Sequence, residues 1–147
     1  MSDAATKEAV SATDNAQNYR LLHTMIRVKD LDKSIDFYCN KLGMNMLRKM
    51  EFPAGKFTLA FVGYGGEDTD AVVELTYNWG QEEPYSHGSG FGHMAIGCSD
   101  IYGLCERLGK EGVSIPRPPG EMMNSGTHIA FIEDPDGYKI ELIQRRH

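Results

Sequence analysis

The strongest constraint on this chain is an internal repeat. The blocks Leu22-His23-Thr24-Met25-Ile26-Arg27-Val28-Lys29-Asp30-Leu31 and Gly92-His93-Met94-Ala95-Ile96-Gly97-Cys98-Ser99-Asp100-Ile101 share order more than letters. His23 falls on His93, Ile26 on Ile96 and Asp30 on Asp100. Each block reads as a strand running into a helix capped by the aspartate, whose carboxylate can accept from the first-turn N–H groups. Leu31, Ile35, Tyr38 and Leu42 follow at helical core spacing in the first half, and Ile101, Leu104, Cys105 and Leu108 in the second. Gly43 and Gly112 supply the stops. Strand-like runs close each half, at 57–62 and 71–77, then at 128–132 and 138–143 across the turn Asp134-Pro135-Asp136-Gly137. The stretches 43–55 and 111–126 leave room for one more short strand each, at 46–48 and 113–115. A period near 70 residues is longer than a solenoid repeat. The pattern predicts an α+β fold of two strand–helix–strands modules, at about 19–80 and 90–147.

Size and charge narrow what such a pair of modules does. The 147 residues suffice for one ordinary domain, so the modules share it. Residues 1–18 contain no aromatic residue, Leu or Ile, and are expected to form a flexible tail before a folded domain at 19–147. The tail has no apolar h-region, and no Arg beside its Asp3, Glu8 and Asp14, so neither a secretory signal nor a transit peptide is expected. No apolar run approaches the ~20 residues of a membrane span. Cys39, Cys98 and Cys105 are too few for a disulfide scaffold and read as reduced thiols. These features predict a cytoplasmic protein with no membrane partner. The 15 basic and 21 acidic residues give a net charge of −6 without a basic stripe, which argues against a nucleic-acid partner.

Four residues stand out because the repeat duplicates them. His23 and His93 lie in the first strands, Glu74 and Glu141 in the last, with His-to-Glu separations of 51 and 48 residues. A charged or polar side chain in an apolar strand is costly unless solvated, paired or bound to metal. Two imidazoles and two carboxylates form a mixed N/O set suited to Ni, Zn, Co, Mn or Fe. Strand parity puts Met25 and Arg27 on the face of His23, and Thr76 and Asn78 on that of Glu74. Arg27 and Asn78 could thus hold carboxylates or amides of a substrate, or serve as a surface salt bridge and a turn. Asp134-Pro135-Asp136-Gly137 reads as a turn, His87 and His128 have no partner at ligand spacing, and Trp79 reads as a pocket wall or core residue.

Several segments resemble glyoxalase I, the lactoylglutathione lyase family, in its short bacterial form. They are Leu21 to Val28, Ser34 to Tyr38 with Leu42-Gly43-Met44, Leu59 to Gly65, Val73 to Gly80, Gly92 to Ile96, and Ala130 to Leu142. The resemblance covers about residues 20–145. It implies a vicinal-oxygen-chelate fold of paired βαβββ modules, with His23, Glu74, His93 and Glu141 matching the four metal ligands. It further implies a homodimer whose sites form at the interface, His23 and Glu74 of one chain meeting His93 and Glu141 of the other. Arg27 and Asn78 match positions that bind the glutathione part of the substrate. The absence of internal insertions implies one nickel or cobalt ion per site ahead of zinc.

One departure concerns the loop Gly120-Glu121-Met122-Met123-Asn124-Ser125-Gly126. Met123 stands where the family often carries a basic residue for the glycyl carboxylate, and Arg117 is the candidate to take over that charge. The activity implied is isomerisation of the methylglyoxal–glutathione hemithioacetal to S-lactoylglutathione through an enediolate, which detoxifies methylglyoxal. Glu141 is expected as the proton-transferring base with Glu74 its counterpart. Phe61, Leu75 and Met123 are candidates to exclude water. Same-fold alternatives are a metal-free binding protein of the bleomycin-resistance type, an extradiol dioxygenase and an acyl-CoA epimerase. Retention of both His/Glu pairs and the Asn78-Trp79-Gly80 context favour the lyase.

Overall fold

The computed structural model describes residues 15–146. The tail expected over 1–18 lies outside the described residues as far as 14, as does His147. Ala16–Asn18 form a single 3-10 turn, capped by Asn15, whose side chain accepts from the Gln17 N–H.

Both halves fold with the same element order. Module 1 holds β1 (His23–Arg27), α1 (Leu31–Ile35) continuing as a π-helical segment (Asp36–Lys41), β2 (Asn45–Phe52), β3 (Phe57–Gly63) and β4 (Val72–Asn78). Module 2 holds β5 (Met94–Cys98), α2 (Ile101–Lys110), β6 (Arg117–Glu121), β7 (His128–Glu133) and β8 (Lys139–Gln144). The sheets run β1-β4-β3-β2 and β5-β8-β7-β6. In each, the first strand lies parallel to the last and the other pairs are antiparallel. The α+β reading with paired βαβββ modules therefore holds.

The helices begin where the aspartates require. Asp30 accepts from Lys33 N–H and Asp100 from Gly103 N–H. They end at Gly43 (φ 77°) and Gly112 (φ 86°), a left-handed conformation that a Cβ disfavours. The strand expected at 46–48 is the start of the longer β2. The one expected at 113–115 is not a strand. There, Val113 N–H still bonds the carbonyl of Leu108 to close α2 and Ser114 O accepts from Glu133 N–H, so pairing along β7 begins only at Arg117. Pro118 and Pro119 are tolerated in β6 because it is an edge strand with an irregular register between Arg117 and Gly120.

Alternation along the strands separates two faces. Ile26, Ala60, Val62 and Leu75 in module 1, and Ala130, Ile132, Ile140 and Leu142 in module 2, turn to the helices and are buried in one cluster with Phe37, Tyr38, Ile101 and Leu108. The opposite face of each sheet carries the polar residues singled out above.

The Asp134–Gly137 turn is more than a strand connection, because it fastens module 2 to module 1. Asp134 accepts from the Tyr38 hydroxyl at 2.7 Å and from the N–H groups of Asp136 and Tyr138. Asp136 accepts from Lys29 N–H and, at 3.4 Å, from the Ser34 hydroxyl. Tyr138 hydroxyl donates to the Arg27 carbonyl at 2.8 Å. Burial raises the Asp134 pKa against the opposing pull of these three hydrogen bonds, and raises that of the Tyr38 hydroxyl as well.

Candidate metal centre

Register assembles each half-site on the open face of its sheet. In module 1, Arg48 lies opposite Phe61 across β2–β3, Phe61 opposite Glu74 across β3–β4, and Met25 beside Glu74 across β1–β4. His23 is two residues before Met25 and therefore on the same face. Module 2 repeats the arrangement with Arg117 opposite Phe131, Phe131 opposite Glu141, Ala95 beside Glu141, and His93 two residues before Ala95. The unit duplicated is thus His, Arg, Phe and Glu, one from each strand in module 1, whereas in module 2 His93, expected in the first strand, stands immediately before β5.

The two pairs match closely in geometry. His23 Nε2 lies 2.9 Å from Glu74 Oε1, and His93 Nε2 lies 3.1 Å from Glu141 Oε1. The imidazoles are about as exposed as each other, at 37% and 41%, and the carboxylates are mostly covered, at 13% and 16%. Each imidazole meets the edge or face of its phenylalanine at 80°, at centroid distances of 5.5 Å to Phe61 and 5.1 Å to Phe131. The ring packing fixes each imidazole so that Nε2 faces the carboxylate.

The donor set and spacing suit a divalent ion. Two donors each ~2.1 Å from one ion lie ~3.0 Å apart at a right angle and ~3.4 Å apart at a tetrahedral angle. The observed separations match the former. In both modules the imidazole nitrogen and the carboxylate oxygen thus already stand at close contact, 2.9 and 3.1 Å apart. Among the described residues no group of three or more His, Cys, Asp or Glu converges to hold a metal. Among the described residues each module brings together one such pair, His23 with Glu74 and His93 with Glu141.

Beyond the pairs, the half-sites differ. Thr76 hydroxyl donates to the second oxygen of Glu74 at 3.3 Å, whereas Ile143 occupies the corresponding place beside Glu141. Arg48 stacks its guanidinium 3.9 Å from the Phe61 centroid and grips Glu67 with two hydrogen bonds of 2.7 and 3.0 Å, which hold the Glu67 carboxyl below its usual range. Arg117 borders a concavity of about 300 Å³ with His93, Phe131 and Lys139. Its guanidinium is spent on backbone carbonyls, those of Pro118, Gly120, Ile129 and Glu121 at 2.9 to 3.2 Å.

The remaining expected residues divide by surroundings. Arg27 is exposed at the end of β1, and no hydrogen bond or ion pair with a described residue engages its guanidinium. It borders a cavity of about 210 Å³ with Tyr85, His87, Phe91 and Tyr138. Asn78 donates to the Tyr85 hydroxyl at 3.2 Å. Trp79 donates to Thr58 at 2.8 Å and lines a wall with Tyr77. Of the three residues expected to exclude water, only Phe61 stands beside a half-site. Leu75 is fully buried on the helix-facing side, because it is one residue out of phase with Glu74. Met123 is 91% exposed at the tip of the β6–β7 hairpin.

The sequence reading missed Arg48 and the pairing of Phe61 with Phe131. The signal was present, since Ala60-Phe61 and Ala130-Phe131 recur at matching places in the third strands.

Similarity to other proteins agrees with this architecture. A model of the glyoxalase/bleomycin resistance protein/dioxygenase superfamily matches residues 20–142. A probable lactoylglutathione lyase of Synechocystis sp. is 61% identical over 124 residues, covering 84% of this chain and 94% of that protein. A lactoylglutathione lyase of Neisseria meningitidis is 54% identical over 127 residues, covering 86% and 91%. Among solved structures, glyoxalase I from Zea mays superposes with a TM-score of 0.84 at 48% identity. It covers 87% of this chain and 45% of the maize chain, so this chain spans about half that protein's length. The trypanothione-dependent glyoxalase I of Leishmania major superposes with a TM-score of 0.77 at 48% identity, covering 86% and 87%. With its family model matched almost end to end across both modules, the chain belongs to the glyoxalase/bleomycin resistance protein/dioxygenase superfamily, in its glyoxalase I family.

Proposed function

We propose that the protein is a lactoylglutathione lyase that isomerises the hemithioacetal of methylglyoxal and glutathione to S-lactoylglutathione, removing methylglyoxal. Curated relatives named for that activity support the reaction, and the observation that carries it is the pair of two-donor half-sites. Because neither half offers more than two donors among the described residues, the working site joins His23 and Glu74 of one protomer to His93 and Glu141 of another in a homodimer. Two imidazoles and two carboxylates suit a borderline divalent ion, and the lack of internal insertions, as in the short bacterial members of the family, favours nickel or cobalt ahead of zinc. A bound divalent ion supplies Lewis acidity to the substrate oxygens.

The protein's own groups then divide the work. Glu141 is the base that takes the proton from one carbon and returns it to the next, because its second oxygen has no partner among the described residues. Glu74, held at both oxygens by His23 and Thr76, is the fixed carboxylate opposite. Phe61 and Phe131 cover the imidazoles and exclude water from that side. Arg27 and Asn78 bind the glutathione part. Arg117 contributes charge beside His93 at the cost of its present carbonyl contacts. The modules at 19–80 and 90–147 form the catalytic unit. No helix among the described residues is long and apolar enough to cross a membrane, and we assign the protein to the cytoplasm.

The test is a spectrophotometric assay of methylglyoxal with glutathione after chelation, across nickel, cobalt and zinc. Activity restored by nickel is expected. A protein that binds no divalent metal and gains no activity with any of the three refutes the reading.

A further inference from the structure

The repeat points to a substrate contact on module 2 that balances Arg27 on module 1. In module 1, Arg27 ends β1 and Asn78 ends β4, on the face of the His23–Glu74 pair. In module 2 the corresponding positions are Gly97 on β5 and Arg145 just after β8. The arginine has changed strands. Glu141, Ile143 and Arg145 alternate onto one face, and Gly97 lies beside Ile143 in the parallel register, on the face of Ala95 and His93. A Cβ placed on Gly97 would meet Arg145 Cγ at 2.9 Å, so the arginine side chain lies across the glycine. Its backbone is anchored there, with Arg145 N–H donating to the Cys98 carbonyl at 2.7 Å.

The guanidinium itself is uncommitted. Arg145 is exposed, and no hydrogen bond or ion pair with a described residue engages it. This contrasts with the other arginines near the half-sites, since Arg48 is bound to Glu67 and Arg117 to four carbonyls. Among the described residues, Arg27 and Arg145 are the arginines on the ligand-bearing faces whose guanidinium groups no described residue engages, one per module, in a chain of net charge −6.

We propose that Arg145 is a substrate-binding residue that recognises a carboxylate of the thiol carrier on the module 2 side of the site. The proposal rests on the isomerase reading above and names a residue for its specificity. It also supplies, from a free side chain, the charge that the loop around Met123 lacks. A guanidinium presents a planar fork to a carboxylate, and Gly97 leaves the room in which that fork can swing toward the site.

The test uses nickel-loaded, full-length protein and two methylglyoxal adducts, that of glutathione and that of glutathione diethyl ester, in which both carboxylates are blocked. Arg145→Gln should raise KM for the glutathione adduct about tenfold, the usual consequence of losing a charged hydrogen bond. Its kcat and its KM for the ester adduct should each stay within about twofold of wild type. Arg145→Lys should recover part of the loss. Gly97→Ala, which keeps the arginine but crowds its Cγ, should shift KM in the same direction by less. Calorimetric titration with S-methylglutathione, an unreactive thioether, should show the same tenfold loss for Arg145→Gln. An unchanged KM and affinity, or an equal rise for both adducts, overturns the assignment. Wild-type protein that binds S-methylglutathione through Arg145 but turns over neither adduct overturns the reaction reading and leaves the subsite in place.

Discussion

Modules 1 and 2 are built from one plan and diverge in what surrounds the shared pair. Their sheets have the same strand order, and their His–Glu separations differ by only 0.2 Å (2.9 and 3.1 Å). Their helices do not match. Module 2 has a regular ten-residue α2 that buries Ile101, Cys105 and Leu108 at helical spacing. Module 1 gives up α-geometry after Ile35, and its π-helical turn, with Leu42 N–H bonded to the Phe37 carbonyl, turns the adjacent Phe37 and Tyr38 both inward. That places the Tyr38 hydroxyl on Asp134 of the other module. Duplication preserved the His–Glu pair and its phenylalanine in each module. It left free the parts that fasten one module to the other and the arginines and threonine around each pair.

The sharpest way to break this comparison is to exchange the carboxylates. Glu141→Gln should lower kcat by about a thousandfold, as loss of a general base does, while the protein keeps most of its nickel. Glu74→Gln should cost less in kcat and more in metal content. Equal profiles for the two variants would mean that Thr76 does not distinguish the carboxylates. The imidazoles should behave alike instead. His23→Ala and His93→Ala should each weaken nickel binding by more than about a hundredfold, beyond the loss typical of an outer-shell group. Competition with a chromophoric chelator measures this, and a large difference between the two would show that the half-sites are unequal.

The latch should register in stability before activity. Asp134→Ala leaves the Tyr38 hydroxyl and two N–H groups unpaired in a buried site, and should cost about 3 kcal/mol in urea unfolding. Tyr38→Phe, which removes only the donor, should cost about 1–2 kcal/mol. If both variants unfold like wild type, the turn is not what holds the modules together.

A smaller effect separates the terminal hairpins. Glu133 accepts from Lys139 at 2.6 Å and from the Ser114 hydroxyl at 2.8 Å in module 2, and both lower its pKa. A carboxyl depressed in the folded state stabilises above its unfolded value of ~4.3 and loses that contribution as pH falls through the folded value. Lys139→Met should therefore reduce stability near pH 7 and have progressively less effect in acid. The pair is substantially exposed, so the difference should stay under about 1 kcal/mol. A difference between wild type and Lys139→Met that does not shrink on acidification would assign it to packing.

Much of this was readable from the residues. Asp30 and Asp100 announced both helix starts, Gly43 and Gly112 both ends, and strand parity put Arg27 and Asn78 on the face of the histidine and glutamate. These are local rules, in which a residue's conformation and its position along the chain suffice. The strand at 113–115 failed because its pairing is decided by a partner 14 or more residues away: β7 takes up Arg117, while Val113 closes the helix. Leu75 failed for a simpler reason, since adjacency to Glu74 in a strand means the opposite face.

The sequence alone determined that there are two modules, that each repeats a histidine at its first strand and a glutamate in its last, and that the chain is too acidic to clothe a polyanion. Those properties follow from composition, period and alternation, and they survive without knowledge of any contact. Tertiary structure decided which charges are available. The letters do not say that Arg117 is engaged and Arg145 is not, or that Glu74 is held at a second oxygen. Only register and crossing elements put four carbonyls around the first arginine, a glycine beneath the second, and a threonine hydroxyl against one carboxylate but not the other. A side chain's chemistry is its own, but whether it is spent depends on what the fold brings within hydrogen-bonding distance.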